Sequence, residues 1–121
     1  MEFIAKKQIS CLSNPGVDSY QLLNHENSLS ERITITNVVV QPKAVQPRHI
    51  HETSEQIWIA TKGTGVLLLA NDEEKIFNCG DVVRFAEKDV HGLRNDSTDI
   101  FEYISVTSPP INFNYAYAGK K

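Results

Sequence analysis

From residue 33 to residue 107 the chain repeats one pattern: a short apolar, β-branched run, then a polar turn. Ile33-Thr34-Ile35-Thr36-Asn37-Val38-Val39-Val40 alternates and then runs apolar until Gln41-Pro42 ends it, because proline cannot donate to a ladder. Ile57–Ala60 and Val66–Ala70 flank Thr61-Lys62-Gly63-Thr64-Gly65, which reads as a hairpin. Lys75–Phe77, Val82–Phe85, Val90–Arg94 and Ile100–Thr107 follow, each closed by a polar turn. Upstream, Ser13-Asn14-Pro15-Gly16 is a turn, and Tyr20–Leu23 reads as one short strand. Downstream, Ser108-Pro109-Pro110 breaks the last run. Phe113, Tyr115 and Tyr117 then alternate, as on a final strand or an extended tail with one aromatic face. No stretch sustains a helical period. About eight to ten short strands with closely spaced turns predict an all-β sandwich or barrel.

Composition narrows the classes. A chain of 121 residues suits one core. We divide it into an N-terminal extension with a short strand (1–30), a barrel core (31–108) and a C-terminal strand or tail (109–121) that packs on the barrel or on a dimer partner. The formal charge is −3 and the Lys and Arg residues are scattered, which argues against nucleic acid. No window approaches the roughly 18 apolar residues that cross a membrane. The first residues lack the apolar centre of a signal peptide, so a cytoplasmic location is expected. Cys11 and Cys79 do not make a disulfide framework and are expected to be reduced thiols.

The candidate chemistry lies in Arg48-His49-Ile50-His51-Glu52-Thr53-Ser54-Glu55-Gln56-Ile57-Trp58. In a strand, residues two apart share a face, so His49 and His51 present two imidazoles together. His91 arrives on a later strand. Three imidazoles and a side-chain oxygen, assembled by barrel closure, would hold one divalent transition metal such as Zn, Fe, Mn or Ni. Glu55 and Gln56 are neighbours, so they point to opposite faces and only one can join the histidines. Trp58, Arg84 and Tyr103 are expected to border the pocket. An inward Arg84 would clamp a substrate carboxylate; an outward one would be solvated. Asn95 is expected to tie down its turn. No unambiguous general base stands out.

These motifs resemble those of the cupin superfamily, small double-stranded β-helix or jelly-roll barrels. In the first motif His49 and His51 match, the segment ends at Gly63, and Lys43 occupies the initial glycine position. Counting back from Gly63 puts Gln56 where the family has glutamate. In the second motif Gly80, His91 and Asn95 fall at family spacing, while Ala86 and Lys88 replace proline and glycine. The resemblance covers residues 32–108 and implies a metal held by His49, His51, Gln56 and His91. It also implies a homodimer, for which the C-terminal aromatics would suit an interface. The spacing is similar to that of small cupins acting on unsaturated uronates. Ser105 and Ile111 stand where that lineage has a carboxylate and an arginine. The function expected is that of a metal-dependent enzyme on a small polar metabolite, sugar-derived or a keto or hydroxy acid, by isomerisation or dioxygenation. The alternative is a non-catalytic binding cupin with a structural metal or none.

Overall fold

The computed structural model describes residues 1–120, which form two antiparallel sheets. The strands are β1 (Cys11–Asn14), β2 (Val17–Leu23), β3 (Thr34–Val40), β4 (Val45–His49), β5 (Glu55–Lys62) and β6 (Thr64–Leu69), followed by β7 (Glu74–Asn78), β8 (Val82–Phe85), β9 (His91–Arg94), β10 (Phe101–Ser108) and β11 (Gly119–Lys120). The larger sheet has the order β11-β1-β2-β3-β10-β5-β8 and the smaller one β4-β9-β6-β7. From β3 to β10 the chain crosses repeatedly between the sheets, winding a double-stranded β-helix.

Alternation decides what faces inward. On β3 it is Thr34, Thr36, Val38 and Val40; on β10 it is Phe101, Tyr103, Ser105 and Thr107; on β5 it is Gln56, Trp58 and Ala60. Register stacks these residues into rows. Val17, Val40 and Phe101 make an apolar row at one end. Thr34, Thr107, Gln56 and Phe85 make a largely polar row at the other. The apolar end is sealed by Leu67, Phe77 and Leu93 from the smaller sheet. Hydrophobic burial therefore closes one end of the barrel, and the polar end is left to hold chemistry.

Two parts differ from the sequence reading. Where one short N-terminal strand is expected, the structure has two, β1 and β2, both in the larger sheet. The aromatic tail is not a strand over 113–117: Phe113–Ala116 is a 3-10 turn, started by the Asn112 side chain accepting from the Asn114 N–H. That turn leaves Tyr115 exposed and Tyr117 packed against the core. The Asn14 side chain grips this segment, donating to Ala116 O at 3.0 Å and accepting from Ala118 N at 2.9 Å, and β11 then pairs with β1. Cys11 is buried, Cys79 is exposed, and both are free thiols.

The lysines in the glycine positions keep the glycine conformation: φ is +69° at Lys43 and +66° at Lys88. Both turns are used. Lys43 N donates to Asn95 O at 2.7 Å and Lys88 N to His51 O at 2.8 Å. The left-handed conformation costs an L-residue about 1–2 kcal/mol, and glycine returns about 0.5–1 kcal/mol of that in chain entropy. Lys88→Gly should accordingly raise the unfolding free energy by up to about 1 kcal/mol, read as a higher urea midpoint with an unchanged slope.

Candidate metal centre

β4 and β9 build the centre. Val45 and Gln46 pair with Arg94 and Leu93, but the next pair is His49 with His91, so Pro47 and Arg48 together oppose Gly92. This is a bulge, and Pro47 suits it because a bulged residue need not donate to the ladder. The bulge also resets the alternation, so Gln46 and His49 both line the cavity although they are three residues apart. Gly92 permits it: a Cβ there would lie 2.7 Å from Gln46 O and 3.0 Å from Arg48 N, which are both backbone atoms.

His51 follows two residues after His49. The three rings converge, with centroids 4.2 Å apart for His49–His91 and 5.0 Å for the other two pairs. One nitrogen from each lies within 4.8 Å of the others. His49 Nδ1 donates to Pro47 O and His91 Nδ1 to Asp89 O, each at 2.9 Å; a carbonyl can only accept, so each Nδ1 carries a proton and Nε2 is the nitrogen that can offer a lone pair. Burial pushes His51 and His91 down to about 4, with the neighbouring His49 adding to the shift, so both are neutral near pH 7.

Four buried side-chain polar atoms among the described residues lack a hydrogen-bond partner: His51 Nε2, His91 Nε2, Ser105 Oγ and Asn37 Oδ1. Two of the four are imidazole nitrogens of the triad. Buried polar groups are nearly always satisfied, and a divalent transition ion is the partner that suits several convergent neutral imidazole nitrogens. The residues fit such an ion.

Gln56 is buried on the inner face of β5 and held in a chain: its Nε2 donates to Thr107 Oγ1 at 3.0 Å, and its Oε1 accepts from Trp58 Nε1 at 2.9 Å. Glu55 points the other way and pairs with Arg84 at 2.8 Å on the outer face. Glu55 thus turns away from the histidines, and Arg84, expected as a substrate contact, does not line the cavity. The reason is register: Arg84 opposes outward Ile57, while Phe85 opposes inward Gln56. Trp58 and Tyr103 do line the cavity, stacked with ring centroids 4.3 Å apart. Asn95 ties its turn as expected, donating to Val40 O and Asp99 O and accepting from Ser97.

The cavity beside the triad has a volume of about 340 Å³. His49 and His51 stand at one wall, and the C-terminal segment with Phe113 and Tyr117 forms another. Inside, Tyr103 OH donates to Gln46 Oε1 at 2.7 Å, and Tyr117 bonds Gln46 and Ser19. Burial raises both phenols, so they stay protonated. Among the described lining residues the only Lys, Arg, Asp or Glu is Arg48, and its guanidinium donates outside to Leu69 O and Glu73 O. Sequence reasoning missed Gln46, and it named Ser105 and Tyr117 without placing either in the cavity. The alternation through Phe101, Tyr103, Ser105 and Thr107 marks Ser105 as inward; the bulge hides Gln46.

A two-sheet β-helical barrel with a three-histidine centre beside one internal cavity defines the class. Residues 36–107 match the Cupin domain family, and the chain belongs to it. None of the curated proteins matches the chain in sequence. Among solved structures it is similar to KdgF from Halomonas sp. (20% identity, TM-score 0.75, covering 90% of this chain and 95% of that one). It is also similar to the polyketide cyclase RemF from Streptomyces resistomycificus (13%, 0.78, 100% and 84%). A third is a predicted oxalate decarboxylase from Thermotoga maritima (20%, 0.73, 90% and 98%). At these identities the likeness concerns the fold.

Two expectations follow. In Gly92→Ala the new methyl meets backbone that cannot yield, so stability should fall by about 1–3 kcal/mol and metal uptake should drop; circular dichroism in urea and elemental analysis report the two. For pH, the unfolded histidines titrate near 6.5 and the folded His51 and His91 near 4, so between these values the unfolded chain binds more protons. The metal-free protein should hold its full stability above pH 6.5 and lose it progressively down to pH 4, measured as the urea midpoint against pH.

Proposed function

We propose that the protein is a metal-dependent enzyme acting on a small polar metabolite held in the cavity beside His49, His51 and His91. The observation that carries this reading is the pair of buried, unpartnered imidazole nitrogens in a three-histidine cluster, of which His49 and His51 line a cavity large enough for a small molecule. We assign Gln56 as the fourth ligand. Its amide oxygen has a second lone pair beyond the one that meets Trp58. A donor set of three imidazoles and an amide is neutral, so a bound ion would keep its full charge and polarise a carbonyl or hydroxyketone strongly. That favours a ligand offering an anionic oxygen to the ion.

The chain's own groups do the rest. Trp58 and Tyr103 give a flat wall against which a ring can lie. Tyr103 and Tyr117 are protonated donors, suited to orient an oxygen and poorly suited to act as bases. The reaction is isomerisation by proton shift or dioxygenation, and the resemblance to cupins acting on unsaturated uronates and the fold likeness to a polyketide cyclase are consistent with enolisable substrates. Among the described residues no helix is long and apolar enough to cross a membrane. A cytoplasmic location is part of the proposal. The homodimer would use the outer face of the larger sheet, where Ile57, Ile59, Ile104 and Val106 stand half-buried or exposed side by side, since Phe113 and Tyr117 already line the chain's own cavity. A second reading, a binding protein without turnover, draws on the lack of any inward Lys, Asp or Glu among the described lining residues.

Protein purified without added metal should carry about one divalent ion per chain, and the His49→Ala/His51→Ala variant should carry none. Enolisable hydroxyketones and unsaturated uronates should then be turned over only by the loaded protein. Oxygen uptake would mark dioxygenation, and solvent-deuterium incorporation without uptake would mark isomerisation. Equal metal in both proteins removes the centre. Full loading with binding but no turnover selects the second reading.

A further inference from the structure

The inner face of the larger sheet carries more polar groups than the triad uses, and most of them satisfy one another. Gln21 Nε2 donates to Ser19 O and Ser19 Oγ. Gln56 bridges Trp58 and Thr107, and Tyr103 donates to Gln46. Ser105 is the exception: it is 4% exposed, it lines the cavity, and its Oγ has no partner among the described residues. A hydroxyl is a small, rotatable donor and acceptor and normally finds a partner when buried. Its place is informative. Ser105 pairs with Trp58 across β10 and β5, and the Trp58 ring lies 5.5 Å from the His91 ring. Trp58 is therefore a neighbour of both Ser105 and His91. No guanidinium or ammonium turns into the cavity among the described lining residues, so a carboxylate or phosphate beside Ser105 would be buried without a counter-charge.

Resting on the metal-dependent reading above, we propose that Ser105 Oγ is a second ligand-binding point, which takes a neutral hydroxyl or carbonyl oxygen at the far side of a ring whose chelating side meets the imidazoles. Ligands are then selected for a ring with an anionic, chelating edge and an uncharged oxygen opposite. Ring-bound carboxylates and phosphates at that far position are rejected.

Three pyranones test this, since they share one chelating hydroxyketone and differ at one ring carbon: allomaltol carries methyl, kojic acid hydroxymethyl and comenic acid carboxylate. Each is titrated into zinc-loaded protein, with zinc content measured on the same samples. In the wild type kojic acid should bind about five- to tenfold more tightly than allomaltol, and comenic acid more weakly than kojic acid. In Ser105→Ala, kojic acid should fall to the affinity of allomaltol, whose own affinity should not change. Metal-free Ser105→Ala should keep the wild-type Tm, because the hydroxyl bonds to nothing in the protein, whereas Thr107→Val, which strands the Gln56 amide, should lower it. An undiminished preference for kojic acid in Ser105→Ala, or tighter binding of comenic acid than of kojic acid by the wild type, overturns the subsite while the metal reading stands. A fall in Tm for Ser105→Ala does the same, since it assigns the hydroxyl an internal partner. Absence of bound zinc removes the metal reading and the subsite together; bound zinc with no binding by any of the three overturns the subsite and leaves the metal centre in place.

Discussion

The close approach of β4 to Gly92 is the constraint on which the centre depends. Two bulged residues, Pro47 and Arg48, sit over one glycine, and only a residue without a Cβ leaves room for them. The bulge does three things at once. It sets His49 opposite His91, it turns Gln46 inward to meet Tyr103, and it brings Pro47 O to His49 Nδ1. The last point matters chemically: with Nδ1 committed to a carbonyl, Nε2 is the only nitrogen left to coordinate. Asp89 does the same for His91, so two of the three imidazoles have their tautomer set by backbone rather than by a carboxylate. Such a second shell adds no charge.

Around that constraint the barrel divides its interior. Val17, Val38, Val40, Phe101 and Leu93 close one end by burial, and Thr34, Thr107 and Gln56 line the other. Trp58 sits between them and serves both. Its ring packs on Phe85 and Tyr103, while its indole N–H holds Gln56 Oε1. The core thereby orients a polar group at the centre, and a packing defect at Trp58 would be felt there. On the far wall Asn14, one hundred residues away in sequence, grips the segment that carries Phe113 and Tyr117.

The parts legible in the sequence were those written with a period of two. Alternation on Ile33–Val40 and Ile100–Thr107 is local; the His49/His51 pair was expected from the same rule, but β4 ends at His49 and His51 lies beyond it, so their convergence comes from the chain after the strand. What was not legible depended on residues distant in the chain or on breaks in that period. β1 is short and mixed, and part of its pairing comes from β11 at the opposite end of the chain. The aromatic tail alternates, but Asn112 and Asn14 turn it into a 3-10 turn and a strap. Val82-Val83-Arg84-Phe85 is apolar on both faces apart from the arginine, so its sequence alone left the facing open; pairing with β5 turned Arg84 out to Glu55. The lysines at 43 and 88 show the converse: their φ values kept the family turn although the residues did not.

The replacement of a carboxylate by Gln56 can be judged from its partners. Gln56 Nε2 donates to Thr107 Oγ1, and Oε1 accepts from Trp58. A carboxylate in the same place would lose the first bond unless the threonine hydroxyl turned to donate, but it would keep the second. The change is therefore compatible with the local hydrogen bonds in either form, and its main consequence is electrostatic. With glutamine the described cavity lining contains no inward charge, and the phenols of Tyr103 and Tyr117 stay protonated through burial. An ion held by neutral ligands in such a cavity lacks a counter-charge from the protein. Whatever enters is favoured for supplying that charge at the imidazole end, and disfavoured for carrying charge elsewhere. On the proposed reading, one neutral side chain on β5 would in this way shape selectivity at Ser105 on the neighbouring strand.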